Sequence, residues 1–307
     1  MREIHVVKML KMKSAKSDRS PQPYCQCPNS KIPPTLEHPG GCACGEYDGP
    51  SEWQWEPPSE TANSWVVFSP DHKQVTFHPV YSSGTAAVKG DTPLLQNYHY
   101  YWEVKMLTEP YGTDIMIGIG SDKVDLTALL FNFVPLLGRD GESYGLSYKG
   151  ALRHNALVAR ESTGFCRGSI IGVMVDMWQG TMEFFVNRQP QGLSFYNLRR
   201  HQALYPIISS TAAQSSMRLI YAASWQASLL VDAAKTLAAS VSCSSMAPLP
   251  PGLRNRLKSH FWLTLPNKGA LLEDETENKQ KSSQTGLFPS NVSLSAGMKR
   301  KHFYRRW

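Results

Sequence analysis

One twenty-residue stretch, Gly168–Asn187 (GSIIGVMVDMWQGTMEFFVN), constrains the fold of this chain more than any other. Apolar residues alternate along two short runs, at Ile171, Val173 and Val175 and then at Met182, Phe184 and Val186. A period of two is typical of β-strands, and the Asp176–Gly180 segment between the runs carries a glycine that can take a positive φ. The opposite faces are also partly apolar. The pattern therefore predicts a β-hairpin buried inside a two-layer structure.

Short β-type runs separated by turn residues continue on both sides of this hairpin, starting near Trp53. The candidate strands are Ser64–Phe68, Gln74–Phe77, His99–Met106, Asp114–Gly120, Ser143–Ser147, Ile170–Met177, Thr181–Asn187, Tyr205–Ser210 and Met217–Tyr221. Long helical periodicity begins only after Tyr221. This arrangement predicts an all-β fold, a sandwich of two antiparallel sheets.

The net charge of +7 lies at the two ends of the chain. Basic residues outnumber acidic ones six to two in residues 1–24 and eight to four in residues 268–307, and the part between is nearly neutral. The domain itself therefore shows no basic binding face, and we do not expect nucleic acid as a partner. The basic and aromatic cluster 299–307 remains open to three interpretations: a nuclear-import signal, a solvated tail or a nucleic-acid contact.

No apolar run approaches the roughly twenty residues of a membrane span. Lysines interrupt the first twenty residues, which lack the apolar segment of a secretory signal. We therefore expect no membrane partner and an intracellular location.

Four of the six cysteines form two pairs, Cys25-x-Cys27 and Cys42-x-Cys44. In a reducing compartment such pairs bind metal more often than they form disulfides, and four thiolates suit tetrahedral zinc. The common zinc spacing has two intervening residues, so free thiols in a loop remain the alternative, which this spacing slightly favours. Beyond this structural zinc we expect no cofactor. Cys166 and Cys243 are isolated and are interpreted as ordinary small side chains.

The sequence carries none of the common catalytic motifs. It has no G-x-S-x-G elbow, no H-E-x-x-H pair and no phosphate-binding loop of the Walker type. Gly118-Ile119-Gly120 is interpreted as structural. We therefore expect a binding protein that is not an enzyme.

Several motifs in order resemble a SPRY (B30.2-type) domain over residues 50–222. Besides the hairpin, they are Tyr101-Trp102-Glu103-Val104, Gly112-Thr113 with the following Ile117–Gly120, Glu142–Gly145 and Leu204-Tyr205-Pro206. The resemblance implies the two-sheet SPRY sandwich.

Behind this domain, the order of helix, Pro-rich stretch and helix resembles a SOCS box. Leu229, Ala233 and Leu237 share one helical face, and Ala247–Gly252 leads to a second amphipathic segment. The whole is similar to the SPRY domain-containing SOCS box proteins. In that family the first helix binds elongin C, which implies Ser228, Leu229 and Ala233 here, although the family commonly has Cys at the last position. Pro248, Leu249 and Pro250 match the cullin-5 box.

The family also implies a loop-built pocket that captures a short, Asn-containing peptide. Carried onto this chain, the pocket comprises Pro79, Tyr81, Thr113, Phe133, Leu136, Thr211, Ala212 and Ala213. Relatives have Tyr at the position of Phe133 and Val-Trp-Gly at positions 211–213. For Phe133 and Leu136 the alternative is that they only pack a loop.

The resemblance implies a substrate receptor that joins target proteins to elongin C, elongin B and cullin-5 with its RING subunit. The alternative is a SPRY scaffold whose degenerate SOCS box recruits no ligase. We expect an irregular N-terminal region at 1–49, the SPRY domain at 50–222, the SOCS box at 226–263 and a disordered basic tail at 264–307. We expect the protein in the nucleus and the cytoplasm.

Overall fold

The computed structural model of the protein describes residues 20–27, 42–46, 50–57, 65–240 and 252. The predicted cullin contact at Pro248–Pro250, Cys243 and the basic tail lie outside these residues. No helix in the described part of the chain is both long and apolar enough to cross a membrane.

The described residues form thirteen β-strands and one α-helix. The strands are β1 Val66–Phe68, β2 Gln74–Phe77, β3 Ala86–Lys89, β4 Tyr98–Met106, β5 Ile115–Ser121, β6 Ser143–Ser147, β7 Ala151–His154, β8 Leu157–Glu161, β9 Ile170–Asp176, β10 Thr181–Val186, β11 Gln189–Phe195, β12 Leu204–Ser210 and β13 Ser215–Gln226. A short 3-10 helix at Leu198–Arg200 precedes β12, and the α-helix, α1, spans Leu229–Ser240.

Within the described residues these strands form two sheets. The larger sheet has the order β1-β2-β13-β4-β9-β10-β11 and the smaller one the order β3-β12-β5-β6-β7-β8. Neighbouring strands are antiparallel in both, and apolar side chains from the two facing surfaces form one buried core. The predicted all-β sandwich of two antiparallel sheets is confirmed.

The hairpin that dominates the sequence is β9 paired with β10, in the register Ile171↔Val186 to Asp176↔Thr181. Gly180 closes it with a φ of +73°, and its N–H donates to Asp176 O at 2.7 Å. Both faces of β9 are buried because one faces the core and the other lies under segments from the N-terminal part of the chain. The hairpin is confirmed and lies beside β4 inside the larger sheet.

Four strands were not predicted, namely β3, β7, β8 and β11. All five residues of β8 are exposed, so no apolar alternation marks it. Pro190 and Gly192 interrupt β11, while three of the four residues of β3 are buried. The predicted end of the last strand at Tyr221 is wrong, because β13 continues through position 222 to Gln226, paired with Tyr98 of β4.

Two N-terminal segments, 20–27 and 42–46, cover the outer face of the larger sheet. The N–H of Tyr24 donates to Gly168 O at 3.0 Å, and Asn187 Nδ2 donates to Gln22 O at 2.7 Å. Arg188 Nη2 donates to Gly45 O at 2.7 Å. This cover explains why the outward-facing side chains of β4 and β9 are buried.

A bidentate ion pair lies beneath the cover. Arg188 Nε and Nη2 donate to the two carboxylate oxygens of Glu103 at 2.9 and 2.7 Å, and Tyr101 OH donates to the same carboxylate at 2.7 Å. Glu103 is fully buried, and Tyr24 lies over the guanidinium, whose carbon is 5.2 Å from the ring centroid. A buried charge without its partner is strongly destabilising, so this pair holds the cover and the sheet together.

Glu103→Gln should lower the free energy of unfolding by about 3–5 kcal/mol, because it leaves a buried guanidinium without its counter-charge. The matched control is Glu56→Gln, since Glu56 forms a 3.0 Å pair with Lys89 in which both side chains are well exposed. The control should cost less than about 1 kcal/mol. Urea unfolding followed by tryptophan fluorescence measures both. Equal losses in the two variants would contradict the stabilising role of the buried pair.

Candidate functional site

Four connections of the sandwich meet to form what we call the loop surface: residues 78–85, 107–114, 129–134 and 211–214. Strand β13 begins where β2 ends, with Ser215 paired with Phe77, and Met217 pairs with Met106 at the end of β4. The connection between β5 and β6 starts at the opposite end of its strands and folds back to reach this surface. The loop surface thus lies at the end where β13 begins.

Hydrogen bonds tie the loops to one another. Ser82 Oγ donates to Thr211 O at 2.7 Å, and Tyr111 OH donates to Ala213 O at 2.7 Å. Ser83 Oγ donates to Leu130 O at 2.9 Å, while Thr85 Oγ1 lies 2.9 Å from Asn132 O and 2.7 Å from Val134 O. Each loop is therefore held by side-chain contacts with its neighbours, which is how a rigid scaffold presents a binding surface.

Buried polar groups support the loop surface from below. Thr211 Oγ1 donates to Asp114 O and accepts from Asp114 N–H, both at 3.0 Å. Burial raises the pKa of the Asp114 carboxyl, although Ser147 Oγ donates to it at 2.5 Å. Burial also lowers the pKa of His78, whose Nε2 lies 3.1 Å from Ser210 O. These groups serve the loops themselves and are turned away from solvent.

Exposed aromatic side chains form the outer part of the loop surface. Tyr81 is 67% exposed and Phe131 is 75% exposed. Their rings pack edge-on against Trp65, at centroid distances of 6.5 and 5.8 Å. Val80 and Tyr111 are also exposed. Clustered exposed apolar groups are typical of interaction sites on soluble domains.

The structure divides the predicted peptide-binding residues into two groups. Tyr81, Thr113 and Phe133 are exposed on the loop surface, and Pro79 and Ala213 are half-buried there. Thr211, Ala212 and Leu136 are buried. Contact of their side chains with a peptide is therefore not supported, and Thr211 and Ala212 offer at most backbone groups.

Leu136 belongs to a second apolar cluster. It lies on the outer side of the smaller sheet with Met116, Leu129, Leu137 and Ile207. This cluster anchors the long connection between β5 and β6 as it folds back toward the loop surface. The interpretation of Leu136 as a loop-packing residue fits the structure better than a pocket contact.

Phe131 and Trp65 were missed by sequence reasoning. Phe131 lies two residues before Phe133 in the Leu130–Val134 run, and the pair of aromatic residues around Asn132 was the available signal. No sequence pattern marks Trp65 as part of the site, because its role is to pack against Tyr81 and Phe131, which lie in other parts of the chain.

Helix α1 lies at the opposite end of β13. Ser228 caps it, since its carbonyl accepts from Asp232 N–H at 3.1 Å and its Oγ from Val231 N–H at 3.3 Å. Leu229 is 89% exposed, and Ala233, one turn later on the same face, is also exposed. The predicted elongin-binding residues therefore face solvent on an ordered, capped helix.

An acidic residue of α1 joins the helix to the sandwich. Asp232 Oδ1 lies 3.6 Å from Nε2 of His99 in β4, and His99 Nδ1 lies 3.3 Å from Asp176 Oδ2 at the end of β9. His99 is fully buried. The contact ties the first turn of α1 to the sheet, while Leu229 in the same turn remains exposed.

The four paired cysteines come together in the N-terminal cover. Any two of the sulfurs of Cys25, Cys27, Cys42 and Cys44 lie within 4.8 Å of each other. Cys166 is separate from them, half-buried beside Ser169. The arrangement permits one metal ion with four sulfur ligands.

Comparison with known proteins gives likenesses to a domain family, to two individual proteins and to a solved structure. The SPRY domain family matches residues 99–223 of the chain. SPRY domain-containing SOCS box protein 3 of Xenopus laevis is 39% identical over 245 residues, which cover 77% of this chain and 67% of that protein. SPRY domain-containing SOCS box protein 1 of Homo sapiens is 26% identical over 168 residues, 50% of this chain and 59% of that protein. Among solved structures, the TRIM65 PSpry domain aligns with 55% of this chain and 89% of its own at 19% identity, with a TM-score of 0.45.

Proposed function

The chain belongs to the family of SPRY domain-containing SOCS box proteins, and on that premise we propose that it is the substrate adaptor of a ubiquitin ligase. In this proposal the loop surface binds target proteins, and the region that begins with α1 recruits elongin B, elongin C and cullin-5 with its RING subunit. The observation that carries the proposal is the separation of two solvent-facing surfaces at opposite ends of β13. A protein that bridges a target and a ligase needs two surfaces that do not compete for the same space.

The ligase-binding surface begins with Leu229. A leucine that is 89% exposed on a capped helix has no packing role in the sandwich, and its burial in a partner's apolar pocket would contribute about 1.5–3 kcal/mol. Ala233 extends the same face with a small side chain, where the family commonly has Cys. The contact between Asp232 and His99 orients the helix before any partner binds, which lowers the entropic cost of association. In the proposal, Pro248, Leu249 and Pro250 provide the contact to cullin-5.

The target-binding surface combines apolar area with polar groups. Tyr81 and Phe133 offer exposed aromatic area, and Thr113 offers an exposed hydroxyl on another loop of the same surface. An asparagine side chain brings two donors and an acceptor, and leaving them unpaired in an interface costs about 1–3 kcal/mol. Thr113 and the backbone of residues 211–213 are the groups that we propose to pair with it. The target would therefore be recognised through a short segment that contains Asn.

The proposed mechanism needs no catalytic residue in this chain. Simultaneous binding of a target and a ligase raises the effective concentration of target lysines near the ligase-bound ubiquitin carrier. The rigid sandwich keeps the two surfaces at a fixed separation. The chain's contribution to ubiquitination is then positioning, and degradation of the target by the proteasome follows.

Leu229→Asp should weaken binding to purified elongin B/C by about 100-fold, because the change removes the apolar contact and places a charge in the pocket. Titration by isothermal calorimetry with the full chain measures the effect. The matched control is Leu157→Asp, since Leu157 is 66% exposed on β8 and lies outside both surfaces. The control should bind as wild type does.

Two results would contradict this assignment. If the wild-type chain does not form a complex with elongin B/C, the alternative function, a SPRY scaffold that recruits no ligase, is favoured. If Leu229→Asp and Leu157→Asp bind elongin B/C equally well, the contact through Leu229 is rejected. Neither result affects peptide recognition by the loop surface.

Tyr81→Ala should lower the affinity for Asn-containing peptides by about 30-fold, since a central interface tyrosine commonly contributes about 2 kcal/mol or more. The probe is an array of short Asn-centred peptides, with the best binder measured by fluorescence polarisation. Tyr196→Ala is the matched control, because Tyr196 is 73% exposed and follows β11, outside the loop surface. An array without any binder, or equal affinities in the two variants, would reject the assigned surface.

We also propose that the protein works in both nucleus and cytoplasm. The proposal rests on the basic residues of the tail, Lys299–Lys301 with Arg305 and Arg306. A fluorescent reporter fused to residues 290–307 should accumulate in the nucleus, and the same fusion with these five residues changed to Ala should remain evenly distributed. Equal distribution of both fusions would reject an import signal in the tail.

A further inference from the structure

The two cysteine pairs converge around one point although fourteen residues separate them in the chain. The sulfurs of Cys25 and Cys27 are 3.6 Å apart, those of Cys25 and Cys42 are 3.1 Å apart, and any two of the four lie within 4.8 Å. A tetrahedral zinc ion with Zn–S bonds of about 2.3 Å spaces its sulfur ligands by roughly 3.8 Å. The cluster has the size of such a site.

We propose that Cys25, Cys27, Cys42 and Cys44 bind one structural Zn²⁺ ion that fastens the N-terminal cover to the outer face of the larger sheet. A four-sulfur tetrahedral set suits zinc among the common metal ions, and a site with four protein ligands leaves no open position for chemistry. The inference does not depend on the proposed ligase function, because the site is separate from Leu229 and from the aromatic residues of the loop surface.

Convergence of all four sulfurs favours a metal over disulfides. A disulfide joins two sulfurs at about 2.05 Å and places no requirement on the other two. Two independent disulfides would therefore hold the sulfurs in pairs, whereas here sulfurs of both pairs surround a shared centre. The short spacing within Cys25-x-Cys27 is compatible with this. The distance of 3.6 Å between its two sulfurs is close to the sulfur–sulfur distance of roughly 3.8 Å around tetrahedral zinc.

A buried lysine supports the assignment. The side chain of Lys105 on β4 is 3% exposed, and its Nζ lies 3.8 Å from Cys42 Sγ. Nζ also donates to the carbonyl of Cys42 and, at 3.0 Å, to that of Cys44, and it lies 3.1 Å from Glu46 Oε1. Zinc with four thiolates carries a net charge of about −2. A cation donating toward a ligand sulfur is the outer-sphere partner that such a centre needs, and the centre in turn compensates the buried cation.

The segments that carry the cysteines have little apolar area to hold them in place. Gly45, with a φ of +80°, lies so close to Ile170 that a Cβ there would come within 2.3 Å of Ile170 Cδ1. Arg188 Nη1 donates to Tyr24 OH at 3.0 Å and Nη2 to Gly45 O, so both segments also lie on the buried ion pair. In such short segments the free energy of metal binding becomes free energy of folding. Zinc therefore keeps the cover closed over Glu103 and Arg188.

The test uses the full chain purified under reducing conditions, with metal content measured by inductively coupled plasma mass spectrometry and native mass spectrometry. We expect one zinc ion per chain. The double variant Cys25→Ser/Cys42→Ser should lose it, whereas the matched control Cys166→Ser should retain it. Replacement of zinc by Co²⁺ in the wild-type chain should give the visible absorption bands of tetrahedral cobalt–thiolate, which requires no folded variant.

Removal of zinc from the wild-type chain by a chelator should raise hydrogen exchange at residues 22–27 and 42–46 by at least about tenfold, and added Zn²⁺ should restore protection. Three results would overturn the proposal: wild-type chain without zinc and without a cobalt spectrum, a disulfide between any of the four cysteines in the freshly purified protein, or zinc content in the double variant equal to that of Cys166→Ser. Iron in place of zinc would overturn the identity of the metal.

Discussion

The continuity of β13 is the constraint on which the arrangement of the molecule depends. This strand runs for twelve residues, from the loop surface at Ser215 to Gln226, two residues before Ser228 caps α1. At about 3.3 Å per residue it separates the two ends by roughly 36 Å. Because it pairs with β2 over residues 215–218 and with β4 over residues 217–226, neither end can move without disturbing the larger sheet. The proposed target-binding surface and the proposed ligase-binding helix, at its two ends, are thereby held at a fixed distance.

Burial on both faces of the larger sheet makes β13 and its neighbouring strands rigid. The inner face contributes to the apolar core of the sandwich. The outer face is closed by two short N-terminal segments over the ion pair of Glu103 and Arg188, where loss of one charge would leave the other buried and unpaired. The proposed zinc site lies at the edge of the same cover, beside Lys105 on β4. Zinc and the ion pair would thus act on one element, β4, which is the central strand of the larger sheet.

Sequence reasoning found the strands that have strong alternation and missed those without it. The β9–β10 hairpin and β4 were predictable because their apolar and aromatic residues recur with the spacing of buried strands. Strand β8 has no buried residue, and no pattern marks it. The direction of loop side chains could not be predicted from the sequence: Leu136 and Thr211 are buried, while Phe131 is exposed. The contact between His99 and Asp232 joins residues far apart in sequence, so only the fold reveals it.

The central claim is that one chain binds a target at one end of β13 and a ligase at the other. The most direct measurement is ubiquitin transfer in a purified system of this chain, elongin B/C, cullin-5 with its RING subunit, and a reporter protein that carries the Asn-containing peptide selected by the loop surface. The account predicts that transfer fails with Tyr81→Ala although elongin binding persists, and fails with Leu229→Asp although peptide binding persists. Transfer at the wild-type rate by either variant would contradict it.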